Sequence, residues 1–120
     1  MKATVQDMEI ERSLSEFEEA IQKRNYVRAV KIAESIGKPS GEIRKLQQET
    51  LKQFIVDYRN PRGAIALAEE YLFNGEEVDQ LLKGILQEAE EKKIQDKSQY
   101  DIKTNRYLTL PEWIREYFKR

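Results

Sequence analysis

The amino-acid sequence predicts an all-α protein, a right-handed stack of antiparallel helix hairpins. Three observations lead to this fold class. Apolar residues recur at the spacing of a helix face along most of the 120 residues. No segment shows the alternation of apolar and polar residues that is typical of strands. The chain also matches itself at an offset of 35 residues, and a period of this length is typical of stacked helix pairs.

The first hairpin is expected after a flexible N-terminal segment, residues 1–12. Ser13 has a glutamate three residues later, the spacing of a capping box at a helix start. This first helix is predicted to end near Asn25. The same residue is predicted to cap the start of a second helix, which is rich in apolar residues. Gly37 and Pro39 are expected to end the second helix, because neither residue favours its continuation.

The second hairpin follows directly. A third helix is predicted over about 41–59, and Asn60 followed by Pro61 has the form of an N-cap with proline in the first helical position. The fourth helix is again rich in small and apolar residues. Residues 73–75 are expected to form a turn before a fifth helix, which ends between 93 and 97. The helical-repeat core is therefore predicted to cover residues 13–97.

The C-terminal part of the chain is predicted to be an irregular connection, residues 98–108, and an amphipathic helix, residues 109–120. Thr109 and Glu112 have the spacing of a second capping box. The apolar face of this helix consists of Leu110, Trp113, Ile114, Tyr117 and Phe118. Because so short a helix is unstable alone, it is expected either to cap the helix stack or to form an interface with another chain.

The internal repeat carries a family resemblance. Segment 29–34 aligns with segment 64–69 without a gap. Segment 25–30 resembles the start of the second helix of a tetratricopeptide repeat (TPR), where an aromatic residue precedes a small alanine and a branched apolar residue. The second copy keeps the last two features but has Pro61 in place of the aromatic residue. The resemblance covers about 70 residues and implies two TPR-like repeats, about five helices plus the C-terminal helix, in a scaffold that binds other proteins.

The composition argues against catalysis. The chain contains neither cysteine nor histidine, so disulfides are excluded and the usual zinc ligands and catalytic bases are missing. We therefore predict no catalytic, cofactor-binding or metal-binding residues, no cofactor, and no enzymatic activity. The N-terminal residues lack the apolar core of a signal peptide, and no apolar run is long enough to span a membrane. A cytoplasmic protein is expected.

The charge is unevenly distributed although the net charge is −1. Residues 1–19 carry two basic and six acidic side chains, and residues 20–68 carry ten and four. Residues 69–91 carry one basic and eight acidic side chains, and residues 92–120 carry eight and four. An acidic end of one copy could therefore meet a basic end of another, an association that salt should weaken.

Four arginines stand at equivalent turns of the two hairpins. Arg24 and Arg28 flank the first turn, and Arg59 and Arg62 flank the second. Stacked repeats would place these cations in one strip that accepts an anion or an acidic partner, although cations near helix C-termini also complement the helix dipole.

Together with three aromatic residues, these arginines are the candidate partner-binding residues. The aromatic residues are Trp113, Tyr117 and Phe118, because large aromatic side chains dominate interface energetics. We expect a non-enzymatic protein–protein interaction and assembly module, with a protein partner or self-association. The alternative is a small nucleic-acid-binding protein of the helix-turn-helix kind, which would use the arginine strip.

Overall fold

A computed structural model describes residues 5–94 and 98–118, with the backbone alone for residues 5–7. Helices make up 70% of the structure, which confirms the all-α prediction in its general form. The elements in chain order are α1 (Val5–Gln22), α2 (Tyr26–Ser35), α3 (Ser40–Val56), α4 (Pro61–Glu70), α5 (Gly75–Glu90), β1 (Gln99–Asp101), β2 (Arg106–Leu108) and α6 (Leu110–Tyr117). None of the helices in the described ranges combines the length and apolar character that crossing a membrane requires.

The chain divides into two compact units, residues 1–50 and residues 51–120, and the boundary falls inside α3. Unit 1 contains α1, α2 and the first part of α3, and unit 2 contains the remaining elements. The single helical-repeat core predicted over residues 13–97 is therefore divided between the units. Helix hairpins make mostly local contacts, so a chain of them separates readily into contiguous units.

The start of α1 differs from the prediction. Residues 1–12 were expected to be flexible, but α1 already begins at Val5. Ser13 lies inside this helix, so the prediction of a capping box at Ser13 is wrong. Residues 1–4 lie outside the described residues. A serine-x-x-glutamate pattern inside a helix carries no information about its start.

The 35-residue offset reappears in the helix boundaries. Helices α2 and α4 each have ten residues and begin 35 positions apart. The predicted N-caps are confirmed: the side-chain oxygen of Asn25 accepts from the Arg28 amide at 3.4 Å, and that of Asn60 accepts from the Gly63 amide at 2.9 Å. The same local hydrogen bonds thus define both helix starts.

The residues beside these caps repeat as well. Arg24 and Arg59, each directly before its asparagine cap, have φ of 56° and 49°. After the two helices, Gly37 has φ of 72° and Leu72 has φ of 58°. Left-handed backbone is ordinary for glycine and costly for a branched side chain such as leucine. The two copies therefore have the same left-handed backbone conformation at this position, although only the first copy has a glycine there.

The connection over residues 98–108 was predicted to be irregular, and this prediction is wrong. Strands β1 and β2 pair antiparallel, with Tyr100 opposite Tyr107. The carboxylate of Asp101 organises the turn by accepting from the amide and hydroxyl of Thr104, at 2.9 and 2.8 Å. Leu108 is buried on the inner face of the ribbon. Strands of three residues are too short to show a period of two in the sequence.

The C-terminal helix α6 packs on α5 within unit 2. Its predicted capping box is confirmed, since the Thr109 hydroxyl accepts from the Glu112 amide at 3.3 Å and the Glu112 carboxylate accepts from the Thr109 amide at 3.0 Å. Leu110, Trp113 and Ile114 are buried. The first two turns of its apolar face are therefore covered by its own unit.

Candidate protein-binding cleft

Unit 2 contains an apolar cleft of about 350 Å³, open to the surface. Four helices, the turn between α4 and α5, and the residue after α6 contribute its walls. The apolar lining residues are Leu51, Ile55, Ala64, Ile65, Ala68, Phe73, Val78, Leu81, Leu82, Tyr117 and Phe118. We call this the unit-2 cleft. Its volume lies within the range of roughly 300–1,000 Å³ found for binding sites in proteins.

The cleft exists because α4 presents small side chains where its neighbours present large ones. Ala64 and Ala68 stand one helical turn apart on α4 and both line the cleft. Neither side chain is large enough to fill the space. Ile65, on the same helix, lines the cleft and is 45% exposed. A partner can therefore bury apolar surface here that the unit leaves in water.

One acidic residue lines the unit-2 cleft, and four more lie close to it in the sequence. Five acidic residues lie between positions 69 and 79, and no basic residue occurs between Arg62 and Lys83. These acidic residues are Glu69, Glu70, Glu76, Glu77 and Asp79. We call this segment the acidic turn. Glu69 itself lines the cleft, so a partner that enters there meets negative charge at the rim.

Leu72 lies in the acidic turn, just before the cleft residue Phe73. Its side chain is 84% exposed and its backbone is left-handed. Exposure of a large apolar side chain and a left-handed leucine backbone both cost free energy in the isolated unit. The conformation supports the interpretation of the acidic turn as part of a binding surface, because contact with a partner would recover the first of these costs.

Tyr117 connects the cleft to the β-hairpin. Its hydroxyl donates to Oδ1 of Asp101 at 2.5 Å, and Nζ of Lys103 lies 5.1 Å from the centre of its ring. The hydrogen bond to the Asp101 carboxylate raises the pKa of Tyr117 to about 12. The same bond lowers the pKa of Asp101. The hairpin thereby holds one wall of the unit-2 cleft in place.

The hydrogen bond between Tyr117 and Asp101 predicts a pH dependence of stability. A raised tyrosine pKa stabilises the fold below the ordinary value of 10.0, and this contribution is lost as the pH rises through about 12. A lowered aspartate pKa stabilises the fold above the ordinary value of 3.8, and that contribution is lost as the pH falls through the lowered value. Tyr117→Phe should therefore destabilise the protein at neutral pH by an amount that shrinks in strong acid and strong base.

Denaturant unfolding at several pH values checks this prediction. Tyr107→Phe, on the exposed face of the hairpin, is the matched control, and its small effect should not change between neutral pH and strong acid. A stability difference between wild type and Tyr117→Phe that stays constant from neutral pH to about pH 12 would contradict the role of this bond.

The predicted aromatic site residues have different surroundings. Trp113 is 4% exposed, and its ring centre lies 5.2 Å from that of Tyr117 and 5.8 Å from that of Phe118. Trp113 is therefore a core residue of unit 2, whereas Tyr117 and Phe118 are half-buried and line the cleft. The predicted aromatic cluster is present, and two of its members line the unit-2 cleft.

The four predicted arginines are divided between the units. Arg24 and Arg28 lie in unit 1, where Nη2 of Arg28 is 3.9 Å from Oε2 of Glu16. Arg59 and Arg62 lie in unit 2, and Arg62 is exposed.

Arg59 is part of the packing around Trp113. Its guanidinium carbon lies 5.9 Å from the centre of the Trp113 ring, and its Nε donates to the Val56 carbonyl at 3.3 Å. Arg59 therefore contributes to the structure of unit 2, in a cation–π contact and at the end of α3.

The cleft itself was not predicted from the sequence. The sequence marks Ile65, Val78 and Leu82 only as apolar positions of predicted helices, because periodicity shows which face is apolar and not whether that face is covered. One signal was available in the repeat. Leu72 aligns with Gly37, and a leucine in a position that suits glycine indicates an unusual role.

Comparison with known proteins finds no family model, no curated protein and no solved structure that matches this chain. Among the described residues, no group of three or more acidic side chains is arranged to hold a metal ion. What the chain does is therefore inferred from its own contacts, burial and charges.

Proposed function

We propose that this chain is a cytoplasmic, non-enzymatic protein–protein interaction and assembly module, organised as a TPR-like helical repeat. The observation that carries the proposal is the unit-2 cleft, an apolar surface that the unit leaves open. Exposed apolar patches with polar rims mark interaction sites in soluble proteins. The matching caps and lengths of α2 and α4 support the repeat.

The lining favours a protein over a small molecule. The polar side chains among the lining residues are Glu69, Asn74 and the hydroxyl of Tyr117. Asn74 caps α5 by accepting from the Glu77 amide at 2.8 Å, and Tyr117 is bonded to Asp101. Small-molecule pockets are also mainly apolar, and a small number of convergent polar groups orients their ligands. The cleft offers mainly apolar surface, which suits the apolar side chains of a protein partner.

The apolar surface also continues beyond the cleft. Ile65 lines the cleft and is also 45% exposed, and the exposed side chain of Leu72 lies in the neighbouring turn. A protein partner can cover both residues at once, whereas a molecule confined to the cleft would leave Leu72 in water. The exposed leucine therefore supports a partner larger than the cleft.

Ile65→Lys tests the proposed function. The substitution places a charge on the cleft wall and keeps a good helix former in α4. Proteins that co-purify with the chain from its own cells should fall in abundance by at least about tenfold, because the partner loses the apolar contact with Ile65 and meets a solvated ammonium group beside Glu69, a loss of about 1.4 kcal/mol or more. Quantitative mass spectrometry measures this ratio.

Gln80→Lys is the matched control, since Gln80 is exposed on α5 and is not among the lining residues of the cleft. This variant should retain the same co-purifying proteins as the wild type. Equal recovery from Ile65→Lys and Gln80→Lys, with unchanged circular dichroism in both, would contradict binding through the cleft.

A further inference from the structure

The outer face of the β-hairpin is a second apolar surface of unit 2. Tyr100 and Tyr107 face each other across the ribbon, with ring centres 5.4 Å apart, and are 51% and 70% exposed. Ile102, in the turn, is 87% exposed. We call these three residues the hairpin surface. Three large apolar side chains on an eight-residue stretch are more than the ordinary scatter of single exposed residues.

The charges beside the hairpin surface are positive. Lys103 and Arg106 lie within the same stretch, and residues 92–120 carry eight basic and four acidic residues. Asp101, the acidic residue between positions 97 and 111, is used inside the unit, where it accepts from Tyr117 and Thr104. Nζ of Lys103 already lies over the Tyr117 ring of its own unit. Arg106 is opposite Asp101 in the register and begins on the ribbon face away from Tyr107, so the two cations border the hairpin surface at its edge.

The unit-2 cleft and the hairpin surface have opposite charge and matching apolar character. We propose that the unit-2 cleft binds the hairpin surface of a second copy of this chain. This inference rests on the proposed function, for which it names the partner. In the complex, Ile102 and Tyr107 cover the exposed wall around Ile65, and Lys103 and Arg106 meet the acidic turn. Opposite charges of this kind steer association and fix its orientation.

The positions of the two surfaces favour a closed dimer. Tyr117 lines the cleft and is bonded to Asp101 of the hairpin, so the surfaces are neighbours on one unit. Each copy offers one cleft and one hairpin. In a two-fold symmetric dimer, the cleft of each copy binds the hairpin of the other, so both contacts form at once. The expected assembly therefore has twice the mass of the 14.2 kDa chain.

Sedimentation of the full chain at low and high salt measures this association. The dimer should dominate at low ionic strength and dissociate as salt is added, since the screening length falls from about 30 Å at 0.01 M to about 3 Å at 1 M. A chain that stays monomeric at low salt up to about 1 mM would overturn the proposal, because a Kd above this value corresponds to less than about 4 kcal/mol of binding.

Charge reversal identifies the two surfaces. The cleft variant is Glu69→Lys with Glu70→Lys, and the hairpin variant is Lys103→Glu with Arg106→Glu. Each variant alone places like charges at both contacts, so the dissociation constant should rise by at least about tenfold. An equimolar mixture restores opposite charges at both contacts and should form a mixed dimer. Failure of the mixture to associate, with both variants folded by circular dichroism, would overturn the proposal.

Two further variants keep the test decisive. Lys31→Glu with Lys45→Glu makes the same change of net charge as the hairpin variant, at exposed positions of unit 1, and should leave the dimer intact. Ile102→Ser removes an apolar contact from a side chain that is almost fully exposed, so it should weaken the dimer without unfolding the chain. A dimer insensitive to Ile102→Ser would contradict the assignment of the hairpin. The proposed function is tested separately, since Ile65→Lys can release a different protein from a monomeric chain.

Discussion

Trp113→Ala should lower the free energy of unfolding by about 3–5 kcal/mol, the range for deleting a buried large aromatic side chain. Trp113 is 4% exposed, and it contacts the rings of Tyr117 and Phe118 as well as the guanidinium of Arg59. Its loss leaves a cavity between α6 and the end of α3. Because small proteins have total stabilities of about 5–15 kcal/mol, this change approaches complete unfolding. Denaturant unfolding followed by circular dichroism measures it.

Gln80→Ala is the control for this prediction, since Gln80 is exposed on α5 of the same unit and belongs to neither proposed binding surface. Its effect on unfolding should be within about 0.5 kcal/mol, as for most surface substitutions. The comparison also separates the two roles first considered for Trp113. Unchanged stability of Trp113→Ala, with loss of association, would mean that α6 is an interface and does not complete the core of unit 2.

Gly63→Ala should destabilise the protein by about 1–3 kcal/mol, the range for overpacking a filled site. A Cβ at Gly63 would lie 2.7 Å from Nδ2 of Asn60 and 2.8 Å from Cδ2 of Phe54. Neither neighbour is easily displaced: Asn60 caps α4, and the Phe54 ring packs edge-to-face on Tyr58 at 5.1 Å. The close approach of α3 and α4 thus requires a glycine in the first turn of α4.

Gly84→Ala provides a matched control inside α5. A Cβ at Gly84 meets no atom within 4 Å, and the position is exposed. Alanine favours a helix over glycine by up to about 1 kcal/mol, so this variant should be more stable than the wild type. We therefore expect Gly63→Ala to lower the free energy of unfolding and Gly84→Ala to raise it. Stabilisation by both would show that α3 and α4 are further apart than the structure places them.

The sequence predicts those helix starts at which a side-chain oxygen accepts a hydrogen bond from a backbone amide three residues later. Asn25, Asn60 and Thr109 were assigned as caps and serve as caps, because a cap is a contact between residues three positions apart. Ser13 has the same pattern and lies within α1, since the residues before it also favour a helix. The β-hairpin escaped detection because its register depends on Asp101, Thr104 and a short pairing, not on a long alternating run.

The candidate site was predictable only in part. The apolar face of α6 is visible as a spacing in the sequence, and Tyr117 and Phe118 do line the unit-2 cleft. The cleft itself depends on volume that the alanines of α4 leave empty, and whether neighbouring side chains fill this volume is a property of packing between helices. Periodicity cannot show it. The uneven charge was visible, but only the structure shows that acidic residues adjoin an apolar cleft and basic residues an apolar hairpin.

The central claim is that this chain binds a protein through the unit-2 cleft. Site-specific photo-crosslinking in the cell of origin tests it most directly. A photoreactive phenylalanine derivative is placed at Ile65 in the cleft, and separately at Arg24 and Arg62 on the predicted arginine strip. Crosslinks to protein should form from position 65 in far higher yield than from positions 24 and 62. A crosslinked product with twice the mass of the chain would indicate self-association. Protein crosslinks from positions 24 and 62, with none from position 65, would contradict the claim.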